Sequence, residues 1–501
     1  MRVRVQVVIE TDDGSPAAVH EVVQLDRDAA RIDTLGLQLA EAKDLLQQVQ
    51  AVLIGEQGRA CLAQQVACPH CGRARRHTDA ATIVLRTLFG TLHLPSPRWH
   101  HCPCQPPPRQ TFSPLAAALP ERTTPELLYL EAKFAGLVSY GLSAQLLAET
   151  LPLGRRLHAT AVRRHTQATA ERLERELGLE RPMFIDGCQA EWDELSRPEL
   201  PLTVGLDGGY VHSSAQTSRK DGWFAVIAGK SQPTEGPAKC FGFVQTYDPK
   251  PKRRLFEVLK SQGMQMNQQV TFLTDGGEDV RGLPRSLNPQ AEHLLDWFHV
   301  TMRLTVMGQY AKRLPLVDAS ADLVLASGAP NALADHELAD DEDEDDADEG
   351  EEEPRPMVTQ CEAARELERL KWFLWHGNVF RALQVIDDLE DDLEVAGLET
   401  SKLAKALHEF GGYIRANGNF IPNYGERYRN DETISSAFVE STVNQVVSKR
   451  MVKKQQMRWT PRGAHLLLQV RTRVLNDDLP DVFHRWYPGF THTIEPAARA
   501  E

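Results

Sequence analysis

No run of about eighteen consecutive apolar residues, the least a helix needs to cross a bilayer, occurs in this 501-residue chain. The amino terminus, MRVRVQVVIETDDG, alternates like a strand and lacks the apolar core of a secretory leader, so the chain is expected to be cytoplasmic, with no membrane partner. Cysteine is scarce at eight residues, and in that compartment thiols stay reduced, which points to metal binding rather than disulfides. Basic residues are absent from Asp340 to Glu353, where twelve acids occur; outside that run 58 acids face 56 bases, so the net charge of -14 is mostly local. Acids are absent from Ser441 to Asn476, which carries Lys449, Arg450, Lys453, Lys454, Arg458, Arg462, Arg471 and Arg473, a local basic surface suited to DNA.

The length exceeds what one core supports, so several folded units are expected. Residues 1–60 read as a β-hairpin, RVRVQVVIE and VHEVVQL, turning at Asp12, Asp13, Gly14, Ser15 and Pro16, then a helix from about Ala29 to Ile54. Leu35, Leu39, Ala42, Leu46, Val49 and Leu53 keep a heptad rhythm along that helix. Such a stripe serves either to cover the helix's own domain or to pair with a second copy. In residues 61–120, Cys68 and Cys71 precede the hairpin-like TIVLRTLFGTLHLP, and Cys102 and Cys104 follow it. Two close thiol pairs around a small β unit predict a structural zinc ribbon, with His100 or His101 as substitute ligands for the uneven second pair. Cys61, Cys188, Cys240 and Cys361 stand alone and read as small core residues.

Residues 121–180 read as a helix-turn-helix region, with Ser143 and Thr160 as caps and Arg155, Arg156, Arg163, Arg164 and Gln167 toward DNA. A plain helical bundle is the alternative. Residues 181–200 read as a linker. From 201 to 314 three strands, a helix, a strand, a helical link and the strand HLLDWFHV are predicted, the order of an RNase H-like sheet in a multidomain α/β chain. Residues 315–430 read as a helical insertion holding an acidic, disordered loop at 335–358. Residues 431–480 supply two helices, the second with leucines inward and arginines outward, and 481–501 a frayed tail.

Chemistry is expected where acids sit on apolar elements. Asp207 lies in PLTVGLDGGYVHSS before two glycines; Asp275 ends QQVTFLTDGG; Glu440 lies on a helix from about Thr433 to Lys454. Carboxylates in such surroundings are costly unless a cation sits on them. Glu278, Asp279 and Glu432 are rival acids, and His299 is either a core histidine ending a strand or a group near the scissile phosphate. Trp372 and Trp375 could stack on an unpaired base, though packing is the simpler role.

RTLFGTLHLPSPRWHHCPC, LDGGYV, LTDGGEDV, DWFH and VESTVNQVVSKRMVKKQQMRWTPRGAHLLLQVR together resemble the DDE-type bacterial insertion-sequence transposases of the ISKra group, related to Mutator-like elements. The resemblance implies a two-metal (Mg²⁺ or Mn²⁺) enzyme that binds double-stranded DNA at terminal inverted repeats, as a homodimer or higher oligomer, and cuts and joins strands. It implies Asp207, Asp275 and Glu440 as the acidic triad, and matches Asp296 with His299 to an aspartate-two-histidine motif. A non-catalytic DNA-binding remnant, or a nuclease of the same fold without strand transfer, are the alternatives.

Overall fold

The computed structural model describes residues 1–10, 16–27, 32–33, 35–104, 111–154, 156–180, 202–215, 222–264, 268–277, 282–284, 287, 291–315, 358–435, 437–452 and 458–491. Strands β1 (Arg2–Ile9) and β2 (Ala18–Asp26) pair antiparallel, as their alternation predicts. The next helix, α1 (Leu39–Ala63), starts ten residues later than predicted. Gln38 and Glu41 form a reciprocal capping box there, and Arg27 holds Glu41 at 2.5 Å, which fixes the start of the helix. Ile54 and Leu62 pack inward, whereas Leu39, Leu46 and Leu53 of the heptad stripe are exposed.

A hairpin follows, β3 (His77–Thr87) with β4 (Gly90–His100), extended by β5 (Thr111–Phe112) and flanked by α2 (Pro114–Ala118). Three helices come next: α3 (Pro125–Leu137), α4 (Tyr140–Thr150) and α5 (Ala159–Glu176). Neither predicted cap holds. Ser139 caps α4, accepting from Leu142 N at 3.3 Å, while Ser143 is inside the helix and donates back to Ser139 O; α5 begins at His158, before Thr160.

The central sheet holds β6 (Leu202–His212), β7 (Trp223–Pro233), β8 (Lys239–Val244), β9 (Val270–Thr274) and β10 (Glu292–Leu295) in the order β10-β9-β6-β7-β8. β6, β9 and β10 run parallel; β7 is antiparallel to both neighbours. Such a sheet is buried on both sides. Helix α6 (Pro251–Ser261) covers one face, where Leu255 and Leu259 meet Leu202, Val204, Leu206 and Phe272.

The chain then forms α7 (Trp297–Ala311), α8 (Gln360–Trp375), α9 (Val379–Val395), α10 (Lys402–Asn417) and α11 (Tyr424–Arg429) around one apolar core. The linker 181–200 and all of the acidic stretch 335–358 except Val358 lie outside the described residues.

The other sheet face is closed by α12 (Ala437–Val443), a π turn (Asn444–Ser448), α13 (Lys449–Met451) and α14 (Pro461–Leu475), with α15 (Leu479–Trp486) beyond. The expectation of outward arginines on α14 holds for Arg462 and is corrected for Arg471: α14 is buried from Gly463 to Thr472, because β8 packs on one side and α3 and α5 on the other. Arg471 is inside, donating to Val446 O at 2.8 Å and to the carbonyls of Gln445 and Gly136. A π turn breaks the regular helical ladder, and this guanidinium takes up two of its carbonyls.

Candidate active site and metal centres

Strand register aligns Leu206, Thr274 and Leu295 across β6, β9 and β10. An aspartate follows each of them: Asp207 within β6, and Asp275 and Asp296 as the first residues past β9 and β10. Neighbouring strands lie about 4.8 Å apart, so three carboxyl-bearing residues form one row across three parallel strands, where β9 and β10 end and β6 runs on. Gly208 N donates to Asp207 Oδ1 at 2.7 Å and Gly277 N to Asp275 Oδ1 at 3.0 Å. Asp296, fully buried, accepts from Phe298 N at 3.0 Å, and its Oδ2 lies 3.6 Å from His299 Nε2. This corrects the expected strand HLLDWFHV. The strand stops at Leu295 because Asp296 caps α7, and His299 stands in the first turn of that helix.

Burial is the main force pushing the Asp207 carboxyl above its ordinary range; the charges of Asp275 and Asp296 push the same way, while His299 and the Gly208 N–H pull against them. Crowded carboxylates with one imidazole for relief form a site that gains from a cation. No third described Asp, Glu, His or Cys joins Asp207 and Asp275 within a 4.8 Å span.

The helical insertion braces this row. Tyr413 Oη donates to Asp275 O at 3.0 Å, with the Arg303 guanidinium 4.2 Å above the Tyr413 ring. Gly276 has φ +80° and a Cβ there would fall 2.5 Å from Asn417 Oδ1, so only glycine fits. Tyr413 and Asn417 were not expected from sequence; the glycine pair after Asp275 is the signal that something approaches closely. Glu440 lies on α12, one turn before Val443, whose Cγ1 would meet a Gly209 Cβ at 3.1 Å. Of the rival acids, Glu278 and Asp279 lie outside the described residues. Glu432 is paired with Arg427 at 2.8 Å beside Thr203 and Thr271, toward the opposite ends of β6 and β9. Trp375 packs against Trp297, whereas Trp372 is exposed and rests on His376.

The structure brings Cys68, Cys71, Cys102 and Cys104 together without His100 or His101. Their Sγ atoms are 3.5 Å (Cys68 to Cys104), 3.4 Å (Cys71 to Cys102) and 3.5 Å (Cys71 to Cys104) apart. A tetrahedral zinc with bonds of about 2.3 Å would set its sulfurs roughly 3.8 Å apart, so the four thiols could hold such an ion with little movement. Of the lone cysteines, Cys240 is buried as expected, Cys61 is half-buried and Cys188 lies outside the described residues. Cys361 is exposed in the first turn of α8, correcting its assignment to a core.

Glu174, Asp248 and His465 also offer ligand atoms within 4.8 Å of one another. Arg254 sits among them, 2.9 Å from both carboxylates and 2.5 Å from Gln469 Oε1. Its guanidinium supplies the positive charge that a metal would bring. Burial alone would raise Glu174, but His465 and Arg254 hold it down at about 2.

Among the expected DNA contacts, Arg156, Arg163, Arg164, Lys449 and Arg458 are exposed and Gln167 is half-buried against the start of α14. Arg155, Lys453 and Lys454 lie outside the described residues. Arg450 is a correction: it is fully buried, donates from Nε to Ala135 O at 3.0 Å and lies over the Tyr140 and Trp459 rings. Burial lowers its pKa to about 10. It holds α3 to the carboxyl-terminal helices and faces no solvent.

No protein-family model matches the chain, and no curated protein does. Among solved structures it is similar to the Drosophila P element transposase strand transfer complex, at 10% identity over 72% of this chain and 80% of that one, with a TM-score of 0.23. So low a likeness decides nothing about fold or function. Among the described residues no helix is long and apolar enough to cross a membrane.

Proposed function

We propose that this protein is a metal-dependent DNA transposase with an RNase H-like core, acting on terminal inverted repeats. The aspartate row across β6 and the ends of β9 and β10, with Asp207 pushed toward its neutral form, carries the reading. The strand order with one reversed strand supports the RNase H-like assignment, and the exposed bases Lys449 and Arg458 support a DNA face near it; Trp459 backbone hydrogen bonds extend β6 at that end.

Asp207, Asp275 and Glu440 are the residues that would hold two divalent ions. Bound there, such ions would neutralise the scissile phosphate and favour an attacking oxygen. Asp296 fixes the first turn of α7, and with it His299, whose Nε2 can hold a proton near the departing strand. The exposed leucine column of α1 supports pairing with a second copy.

The test is purified protein, Mg²⁺ and a labelled duplex ending in the element's inverted repeat. Cleavage plus joining, both lost in Asp207→Ala with binding retained, supports the reading. Cleavage without joining leaves a nuclease, and binding alone leaves a DNA-binding remnant. Mn²⁺ binding to wild type that Asp207→Ala abolishes checks the metal site apart from activity.

A further inference from the structure

A concentration of uncompensated positive charge lies away from the aspartate row, where the β3-β4 hairpin meets the helices. A cavity of about 480 Å³ opens there between the end of β3 (Arg86, Thr87), the start of β4 (Thr91), Leu153, Arg156, Leu157 and His158, and the facing sides of α3 and α5. Arg86, Arg156 and Arg164 line it, and among the described residues none of their guanidinium groups has a hydrogen bond or ion pair. The one acid in the lining, Glu131, is fully buried and turned onto His165 Nδ1. Three cations therefore face one carboxylate that already has a partner.

The start of α5 adds to this. His158 is its cap residue and gives no side-chain cap, so the positive end of an 18-residue helix also opens toward the cavity. Farther along α5 its glutamates are paired with arginines of other helices: Glu171 with Arg462, Glu174 with Arg254, Glu176 with Arg485. Leaving three arginines unpaired at one hollow is costly self-repulsion unless an anion relieves it.

The geometry points to the phosphodiester backbone of DNA as that anion, a role that rests on the transposase reading. Arg156, Leu157 and His158 are also the wall of a second cavity, of about 680 Å³, that continues past Gly141, Gln145 and Glu149 on α4. The two hollows together extend beyond one small anion and suit a strand laid across the 156–158 ridge. Arg86 brings the hairpin next to the cysteine cluster into the same surface. Guanidinium groups match phosphate oxygens with two parallel hydrogen bonds, and such contacts set position without reading sequence. The contact of α5 with DNA is thus to the backbone, rather than insertion of its front into the major groove.

The experiment is a salt titration of full-length protein on a labelled duplex of arbitrary sequence. Each lost phosphate contact flattens the slope of log affinity against log salt by about one. Arg86→Ala, Arg156→Ala and Arg164→Ala should each do so, the triple variant by about three, with Arg→Lys restoring much of the slope. Arg164 is exposed, so Arg164→Ala also reports if Arg86→Ala folds poorly, which thermal unfolding reveals. Wild type that binds DNA while the triple variant keeps the same slope overturns the proposal alone. Wild type that binds no DNA overturns the transposase reading and this proposal with it. In a parallel arm, inorganic phosphate or a mononucleotide that binds through these arginines without competing against DNA assigns the site to a small anion and overturns the backbone assignment.

Discussion

The contrast between Gly208 and Gly209 offers a measurement of how tightly the helix carrying Glu440 is pressed onto the strand carrying Asp207. An alanine Cβ at Gly208 meets nothing within 4 Å, so Gly208→Ala should only gain the strand preference of alanine over glycine, about 0.5 kcal/mol. At Gly209 the same atom falls 3.1 Å from Val443 Cγ1 and 3.8 Å from Val447 Cγ1. Carbon atoms rest comfortably at about 3.5–4.0 Å, and a β-branched valine in a helix has one favoured rotamer and cannot swing aside. Overpacking of this kind costs about 1–3 kcal/mol; set against the strand gain, Gly209→Ala should lose about 1 kcal/mol. That corresponds to roughly 2–4 °C in Tm for a domain of this size. Thermal unfolding of the two variants beside wild type reads the difference directly. Metal-dependent cleavage should fall in Gly209→Ala and persist in Gly208→Ala, since only the former displaces α12. Equal stability and equal cleavage in the two would refute the packing of α12 on β6 and the placement of Glu440 that follows from it.

Asp207→Asn removes a carboxylate disfavoured by burial and by the charges of Asp275 and Asp296, so it should raise Tm in chelator while abolishing cleavage and any rise in Tm that Mg²⁺ produces in wild type. Glu174, held at about 2, contributes stability that is present above its unfolded value of 4.5 and is lost as pH falls from there toward 2. Glu174→Gln should cost up to about 3 kcal/mol at neutral pH and flatten acid unfolding measured by circular dichroism. Arg450→Ala should destabilise by about 3 kcal/mol, leaving a cavity and an unpaired carbonyl, whereas the adjacent Lys449→Ala should leave Tm unchanged. Cys71→Ser should lower the zinc content measured by plasma emission and expose residues 65–112 to limited proteolysis.

What could be read from the sequence was what local pattern decides. Asp207 and Asp275 are visible because an acid followed by two glycines interrupts an otherwise apolar strand, and the cysteine pairs because short spacing brings thiols together whatever surrounds them. The third member of the aspartate row, Asp296, was reached through the family resemblance and not through local pattern. Asp296 aligns with the others only through the register of β9 with β10, and the aromatic and β-branched residues after it read as a continuing strand. Arg450 and Arg471 belong to a run of bases with no acid, which reads as a solvated face. The carbonyls that draw them inward, Ala135 and Gly136, are more than 300 residues earlier, beyond any local rule. The caps of α4 failed for a smaller reason: Ser139 and Ser143 are one helical turn apart, and burial of the second decided between them.

The bracing of Asp275 by Tyr413 and Asn417 has a consequence for how the site comes into being. A chain still emerging from the ribosome presents β6 and β9 well before it has made α10, and α12 later still. Until those helices exist, the loop after β9 has no strut and the first strand has no cover. A half-made copy therefore lacks the supports of the aspartate row, and any chemistry that row carries waits on completion of synthesis.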